Sequence, residues 1–149
     1  MIRPAKTDDL RFLAEMSKDY YSEHWFSEHT EFDLESTFNN MRAYTITPQA
    51  NLLVASVTEG LVGYSIGFIV PIVWSKQLRY SIAYNYIEPA FRKQGIFEEF
   101  IQAHEEFAKK HKCVDMNIGD GAQYKGKFGS VARSVGFDQM GTDAYRRLI

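Results

Sequence analysis

A chain of 149 residues, 45% hydrophobic and 15% aromatic, has enough apolar material for one domain with a sizeable core and too little length for two. A formal net charge of −2, with the charged residues spread rather than blocked, gives no field to hold nucleic acid and excludes a polyanion partner. The single cysteine, Cys113, precludes an internal disulfide, fits a reducing compartment and reads as a small inert core thiol; no stretch reaches the roughly 18 apolar residues of a membrane span, so a soluble, cytoplasmic protein is expected.

In chain order, Ile2 to Ala5 is extended in character, and Thr7-Asp8-Asp9-Leu10 offers an N-cap with acids in the first turn. Leu10, Leu13, Ala14, Met16 and Tyr20 share one helical face, and the pattern fades at Ser22 to His24. Glu23 to Glu31 mixes aromatics, histidines and acids without a period and reads as a loop. A second, shorter helix spans Phe32 to Met41, with Leu34, Phe38 and Met41 on its apolar side. Asn51 to Thr58 and Leu61 to Val70 flank Glu59-Gly60, a hairpin signal, and Trp74 to Gln77 connects this pair to a third strand, Leu78 to Ile87.

That third strand leads into a junction. Pro89 cannot donate to a ladder and ends it; Phe91-Arg92-Lys93-Gln94-Gly95 follows, and apolar residues at 96, 97, 100, 101, 104, 107 and 108 then recur at helical spacing. The first amides of such a helix lack intrahelical acceptors and sit at the positive end of its dipole, so the turn suits a phosphorylated ligand, with Gly95 permitting close approach. Arg92 and Lys93 read either as phosphate contacts or as a solvated basic turn. Lys109 to Lys112 complements the negative end of the same helix, and His104, on its apolar face, is expected to be a hydrogen-bonded core or interface histidine. Val114 to Ile118 reads as a short strand, Gly119-Asp120-Gly121 as a turn and Lys127 to Val135 as a short helix closed by Gly136. Phe137 to Met140 and Ala144 to Leu148 read as two final strands, whose exposed edges would permit two copies to pair as a homodimer. No histidine or cysteine spacing is that of a metal site, and none is expected.

Arg92-Lys93-Gln94-Gly95-Ile96-Phe97 resembles the Arg/Gln-x-x-Gly-x-Gly/Ala signature of the GNAT superfamily of N-acyltransferases, and Ile87-Glu88-Pro89-Ala90-Phe91 resembles that family's Val-x-Pro-x-Tyr lead-in. Gly60-Leu61-Val62-Gly63-Tyr64 is similar to its second hairpin, and Ser134-Val135-Gly136-Phe137 to the Lys-x-Gly-Phe ending of its last helix. The resemblance covers nearly the whole chain. It implies an α+β fold over residues 1–149, a mostly antiparallel mixed sheet of about six to seven strands flanked by about four helices.

It also implies transfer of an acetyl group from acetyl-CoA directly to an amine of a small molecule or protein. The cofactor-binding residues carried over are Arg92, Lys93, Gln94, Gly95, Ile96, Phe97 and Glu98, with a backbone N–H of Tyr86 or Ile87 meeting the thioester carbonyl. Phe97 stands where the family has Gly or Ala. Ala132 stands where the family often has a Tyr that protonates the leaving thiolate, so Tyr124, Ser130 or water is the substitute. Glu88, beside the junction, is the base nearest the cofactor turn, with His24 and His29 as rivals. His24, Trp25 and His29, between the first two helices, lie where family members shape the acceptor pocket. The alternative is a GNAT-like domain that has lost transfer and serves as an acyl-CoA-binding or assembly module, a reading motivated by Ala132 and Phe97.

Overall fold

Helix α1 (Leu10–Glu23) forms because its apolar positions recur at helical spacing, and it buries Leu10, Leu13, Ala14, Met16 and Tyr20 against a sheet. The computed structural model describes residues 1–119 and 128–138; the side chains of Trp25, Phe26 and Phe128 are outside that description. Ahead of α1, strand β1 (Ile2–Pro4) leads into a 3₁₀ turn, Thr7–Asp9. Asp9 closes that turn by accepting the Lys6 N–H at 2.7 Å and both terminal nitrogens of Arg3 at 2.7 and 3.0 Å. Those donors hold its carboxyl below the usual carboxylate range.

Helix α2 (Leu34–Ile46) starts on Asp33, whose carboxylate accepts the Ser36 N–H at 2.6 Å. It runs five residues past the expected end at Met41. Thr45 and Ile46 are β-branched and weak helix formers, but Tyr44 packs edge-on against Phe68, 5.1 Å between ring centroids, and this tertiary contact holds the extra turn. Strands β2 (Ala50–Val57), β3 (Gly60–Pro71) and β4 (Leu78–Ile87) follow, then α3 (Ile96–Lys110), β5 (Asp115–Ile118) and α4 (Phe128–Ser134).

The sheet order is β1-β2-β3-β4-β5, antiparallel throughout except for the parallel pair β4–β5. Five strands among the described residues correct the expectation of six to seven. Phe137 and Asp138 are not strand, and the rest of the two final strands expected there lies outside the described residues, as does most of the Gly119-Asp120-Gly121 turn. The four α-helices among the described residues match the expected number of about four.

Alternation splits the core into two layers. On the α1 and α2 side lie Leu52, Val54, Tyr64, Ile66 and Tyr86; on the α3 side lie Leu53, Ala55, Val62, Ile87 and Phe100, continued by Tyr80, Ile82, Ile101 and Ala108. Each large side chain withdrawn from water in these layers is worth about 1.5–3 kcal/mol. Cys113 is half-buried beside the second α3-side cluster. No described helix is long and apolar enough to cross a membrane.

Candidate functional site

Strands β4 and β5 touch over only part of their length. Parallel pairing covers Arg79 to Ile82 against Asp115 to Ile118, pinned at its start by the Arg79 guanidinium on both Asp115 oxygens at 2.7 Å. From Ala83 to Ile87, the edge of β4 that faces away from β3 has no strand partner among the described residues. At the same point β4 carries a bulge: Gly67 pairs with Ile82 and Ile66 with Tyr84, which leaves Ala83 without an opposite residue. The extra residue reverses the phase of the strand. Tyr80 and Ile82 face α3, whereas past Ala83 it is Tyr84 and Tyr86 that face α1, and Ile87 that faces α3.

A buried polar chain holds this bulge. His104, fully buried on α3, bonds Tyr80 Oη through Nδ1 at 2.6 Å and Ser65 Oγ through Nε2 at 2.7 Å. Ser65 Oγ donates its hydrogen to the Tyr84 carbonyl at 3.2 Å. Donor counting then assigns every proton: with the Ser65 hydrogen committed, Nε2 must donate, Nδ1 must accept, and the Tyr80 hydroxyl donates to it. Burial drives the imidazole down to about 3, so it is neutral. The expectation of a hydrogen-bonded core histidine is met. Gly67 belongs to the same arrangement, because a Cβ there would stand 2.1 Å from Tyr80 Oη.

After Ile87 the chain turns towards α3. The Glu88 N–H donates to the Val62 carbonyl at 2.8 Å, Pro89–Phe91 makes one 3₁₀ turn, Lys93 adopts φ +62° and Gly95 adopts φ +87°. The N-cap of α3 is Gly95, which has no side chain to cap it, and the first-turn amides, those of Ile96, Phe97 and Glu98, sit at the positive end of the helix dipole. The space beyond Gly95 is open. The Phe97 ring packs under the helix against both α3-side clusters. Lys93, Gln94 and Glu98 are exposed, with Gln94 Nε2 donating to the Ala90 carbonyl at 3.1 Å.

Arg92 is turned the other way. Its Nε donates to the Ile87 carbonyl at 2.8 Å, its Nη2 donates to both Glu23 oxygens at 2.9 and 2.8 Å, and the guanidinium lies 5.6 Å over the Tyr86 ring. Glu23 is the last residue of α1, so this pair joins the turn to the helix across the site.

On the α1 side Tyr20 is the hub of an aromatic cluster, with centroids 5.6 Å from Tyr86, 6.4 Å from Tyr64, 6.5 Å from Tyr84 and 5.8 Å from His24. Buried Ser17 bonds the Tyr64 hydroxyl at 2.9 Å. Burial, with the nearby Glu23, Asp19 and Glu88 carboxylates and against the opposing Arg92 charge, pushes the Tyr86 phenol up to about 12. It is a neutral hydroxyl at any physiological pH. Burial likewise raises the Tyr64 phenol.

The expected site residues therefore fall into three groups. Tyr86, Ile87, Glu88 and Arg92 to Glu98 form one continuous turn, and His24 reaches it through Tyr20 and Tyr86. Trp25 lies in a 3₁₀ turn, Trp25–Glu28, tethered by the Tyr21 hydroxyl on the Ser27 and Thr30 carbonyls, and His29 is half-buried just past it. Ser130 is exposed on α4 and accepts from Arg133 in its own helix at 3.5 Å; Ala132 is buried two residues on, and Tyr124 lies outside the described residues. Tyr20 was expected only on the apolar face of α1, and neither it nor Tyr84 was expected at the site. Their signal was the pair Tyr84 and Tyr86 two residues apart, which marks one strand face once the phase change at Ala83 is known.

The model of the acetyltransferase (GNAT) family matches residues 11–123. No curated protein matches by sequence. Among solved structures, a transcriptional regulator from Bacillus halodurans C-125 superposes with a TM-score of 0.81 at 18% identity over 99% of both chains. The aminoglycoside 6'-N-acetyltransferase AAC(6')-IG from Acinetobacter haemolyticus superposes at 0.76, with 19% identity over 99% of this chain and 97% of that one. Aminoglycoside N-acetyltransferase AAC(6')-Iy in complex with CoA superposes at 0.80, with 13% identity over 99% and 93%. At these identities the likeness is one of fold.

Proposed function

Because the chain belongs to the acetyltransferase (GNAT) family, we propose that it is a cytoplasmic N-acetyltransferase that moves the acetyl group of acetyl-CoA directly onto an amine. The observation that carries this reading is the N-terminus of α3 behind Gly95, without a side-chain cap, next to the edge of β4 that has no strand partner among the described residues. The CoA held by the AAC(6')-Iy neighbour supports a CoA ligand for the same fold. The residues present fit such a ligand: the turn is open beyond Gly95, the N-cap itself has no side chain, and the Phe97 ring packs against the core clusters. Backbone N–H groups from Lys93 to Glu98 would hold the diphosphate, and that of Tyr86 or Ile87 would meet the thioester carbonyl.

Direct transfer from a cationic amine requires one proton to leave first and free the lone pair; the nitrogen then bonds the carbonyl carbon as the carbon–sulfur bond breaks, with a second proton leaving the nitrogen and one reaching the sulfur. Glu88 is the base we assign, half-buried beside the neutral Tyr86 hydroxyl; Tyr124, Ser130 or water supplies the proton to sulfur. His24, Trp25 and His29 border the acceptor side, where the tyrosine faces and the Asp19 and Glu88 carboxylates suit a cationic amine. The buried Ala132, where the resemblance places a tyrosine acid, favours a second reading, a CoA-binding module without turnover.

Thermal unfolding with CoA, followed by thiol release across a panel of amines including aminoglycosides, separates the two. CoA at about 100 times its dissociation constant stabilises by about 2.7 kcal/mol, or roughly 5–10 °C for a domain of this size. Amine-dependent thiol release establishes transfer; a shift without turnover establishes the binding module. No shift at millimolar CoA overturns both.

A further inference from the structure

We propose that Arg92 is a positioning residue, not a phosphate ligand, and that its pair with Glu23 couples the acceptor-side helix α1 to the geometry of the cofactor turn. This rests on the reading of that turn as a CoA site. A guanidinium has five N–H donors, and three of those of Arg92 are committed: Nε to the Ile87 carbonyl and Nη2 to both Glu23 oxygens. The first bond folds the side chain back over the turn that it terminates, where the backbone already closes through Phe91 N–H to the Glu88 carbonyl and Arg92 N–H to the Pro89 carbonyl. The second reaches across 69 residues of sequence to the last residue of α1.

Glu23 supplies an independent argument. A carboxylate at the C-terminal end of a helix faces the negative pole of that helix and is disfavoured unless a cation answers it. Asp19 and Glu88 add like charge around the same Tyr86 ring, and Arg92, lying over that ring, is the cation that answers them. Swinging Arg92 out to a diphosphate would break all three bonds and leave Glu23 half-buried without its counter-charge. The cation with freedom to meet phosphate is Lys93, exposed at the next position.

The two roles differ in the sign of one measurement. If Arg92 bound phosphate and Glu23 merely competed for it, Glu23→Gln would release the guanidinium and tighten CoA. If the pair holds the turn in shape, Glu23→Gln weakens CoA by about tenfold although residue 23 touches no part of the ligand. The experiment is isothermal titration of CoA into the unaltered protein, Glu23→Gln, Arg92→Gln, Arg92→Lys and the double variant Glu23→Gln/Arg92→Gln. Glu35→Gln, which breaks the exposed Arg11–Glu35 pair elsewhere on α1, is the control.

Both single variants should weaken CoA alike and the double no further. Arg92→Lys should fail to restore binding, and the salt dependence of the Arg92→Gln affinity should match that of the unaltered protein because no phosphate contact is lost. Melting temperatures within a few degrees of the Glu35→Gln control show that the loss is not unfolding. Unchanged or tighter CoA binding by Glu23→Gln, or a shallower salt dependence in Arg92→Gln, overturns the positioning role and leaves the CoA site standing. No CoA binding by the unaltered protein overturns the CoA site, and the positioning role with it.

Discussion

Acidification to about pH 5 will destabilise this protein through His104, ahead of any loss from Asp9, Asp33 and Asp115. The folded imidazole is held neutral down to about 3, against 6.5 in a solvated histidine, by burial between α3 and the sheet. Its folded value being depressed, the unfolded chain binds the extra proton between those limits. The stabilisation is therefore complete above about pH 6.5 and drains away as the pH falls towards 3. At 1.36 kcal/mol per unit, about 2 kcal/mol is gone by pH 5, which corresponds to a melting temperature roughly 4–8 °C below that at pH 7. Asp9, Asp33 and Asp115 are all held below the usual carboxylate range by hydrogen-bond donors, so their contributions fall away only below about pH 4. The assay is urea unfolding at several pH values, with His104→Gln beside the unaltered protein. The variant, less stable at neutral pH, should lose most of the slope between pH 7 and 5. An undiminished slope in His104→Gln, or an imidazole that titrates near 6.5 in the folded state by NMR, would refute the reasoning.

Gly67→Ala places a methyl 2.1 Å from the fully buried Tyr80 hydroxyl and displaces it from His104; overpacking and the lost bond should cost about 2–4 kcal/mol, and a melting temperature within about 2 °C of the unaltered protein would contradict the packing described. Gly95→Ala meets no neighbour but must hold φ +87°, at about 1–2 kcal/mol; calorimetry should show that modest loss together with weakened CoA binding, and full CoA affinity would argue against the turn as the diphosphate site. Glu88→Gln should lower kcat at least about tenfold with little change in KM for acetyl-CoA, and a kcat within twofold would move the base elsewhere, His24 first.

The junction was legible in the sequence because its signals are local and hard: a proline that cannot continue a ladder, a glycine that can turn left-handed, and an amphipathic run straight after. His104 was legible for the same reason, as a polar residue on an apolar face. What could not be read was pairing at a distance. Nothing near Arg92 marks Glu23 as its partner, and a basic residue beside a phosphate turn invites the opposite reading. The bulge at Ala83 was equally hidden, since one unpaired residue inside Leu78 to Ile87 changes no composition and leaves an unbroken strand pattern. With the phase taken as continuous, Tyr84 could not be placed on the α1 side. Helix α2 outran its pattern because Phe68, on a strand more than twenty residues away, decides the fate of Tyr44.

The phase reversal at Ala83 makes chain length, more than residue identity, what decides which face each side chain takes in this part of the molecule. Substituting Tyr84 changes one contact of the Tyr20 cluster and leaves the strand's register intact. Deleting Ala83 would turn the downstream half of the strand inside out, swinging Tyr84 and Tyr86 towards Phe100 and presenting Asn85 and Ile87 to α1. A point change on β4 therefore alters one contact, while the loss of one residue there exchanges the two faces of everything downstream in the strand.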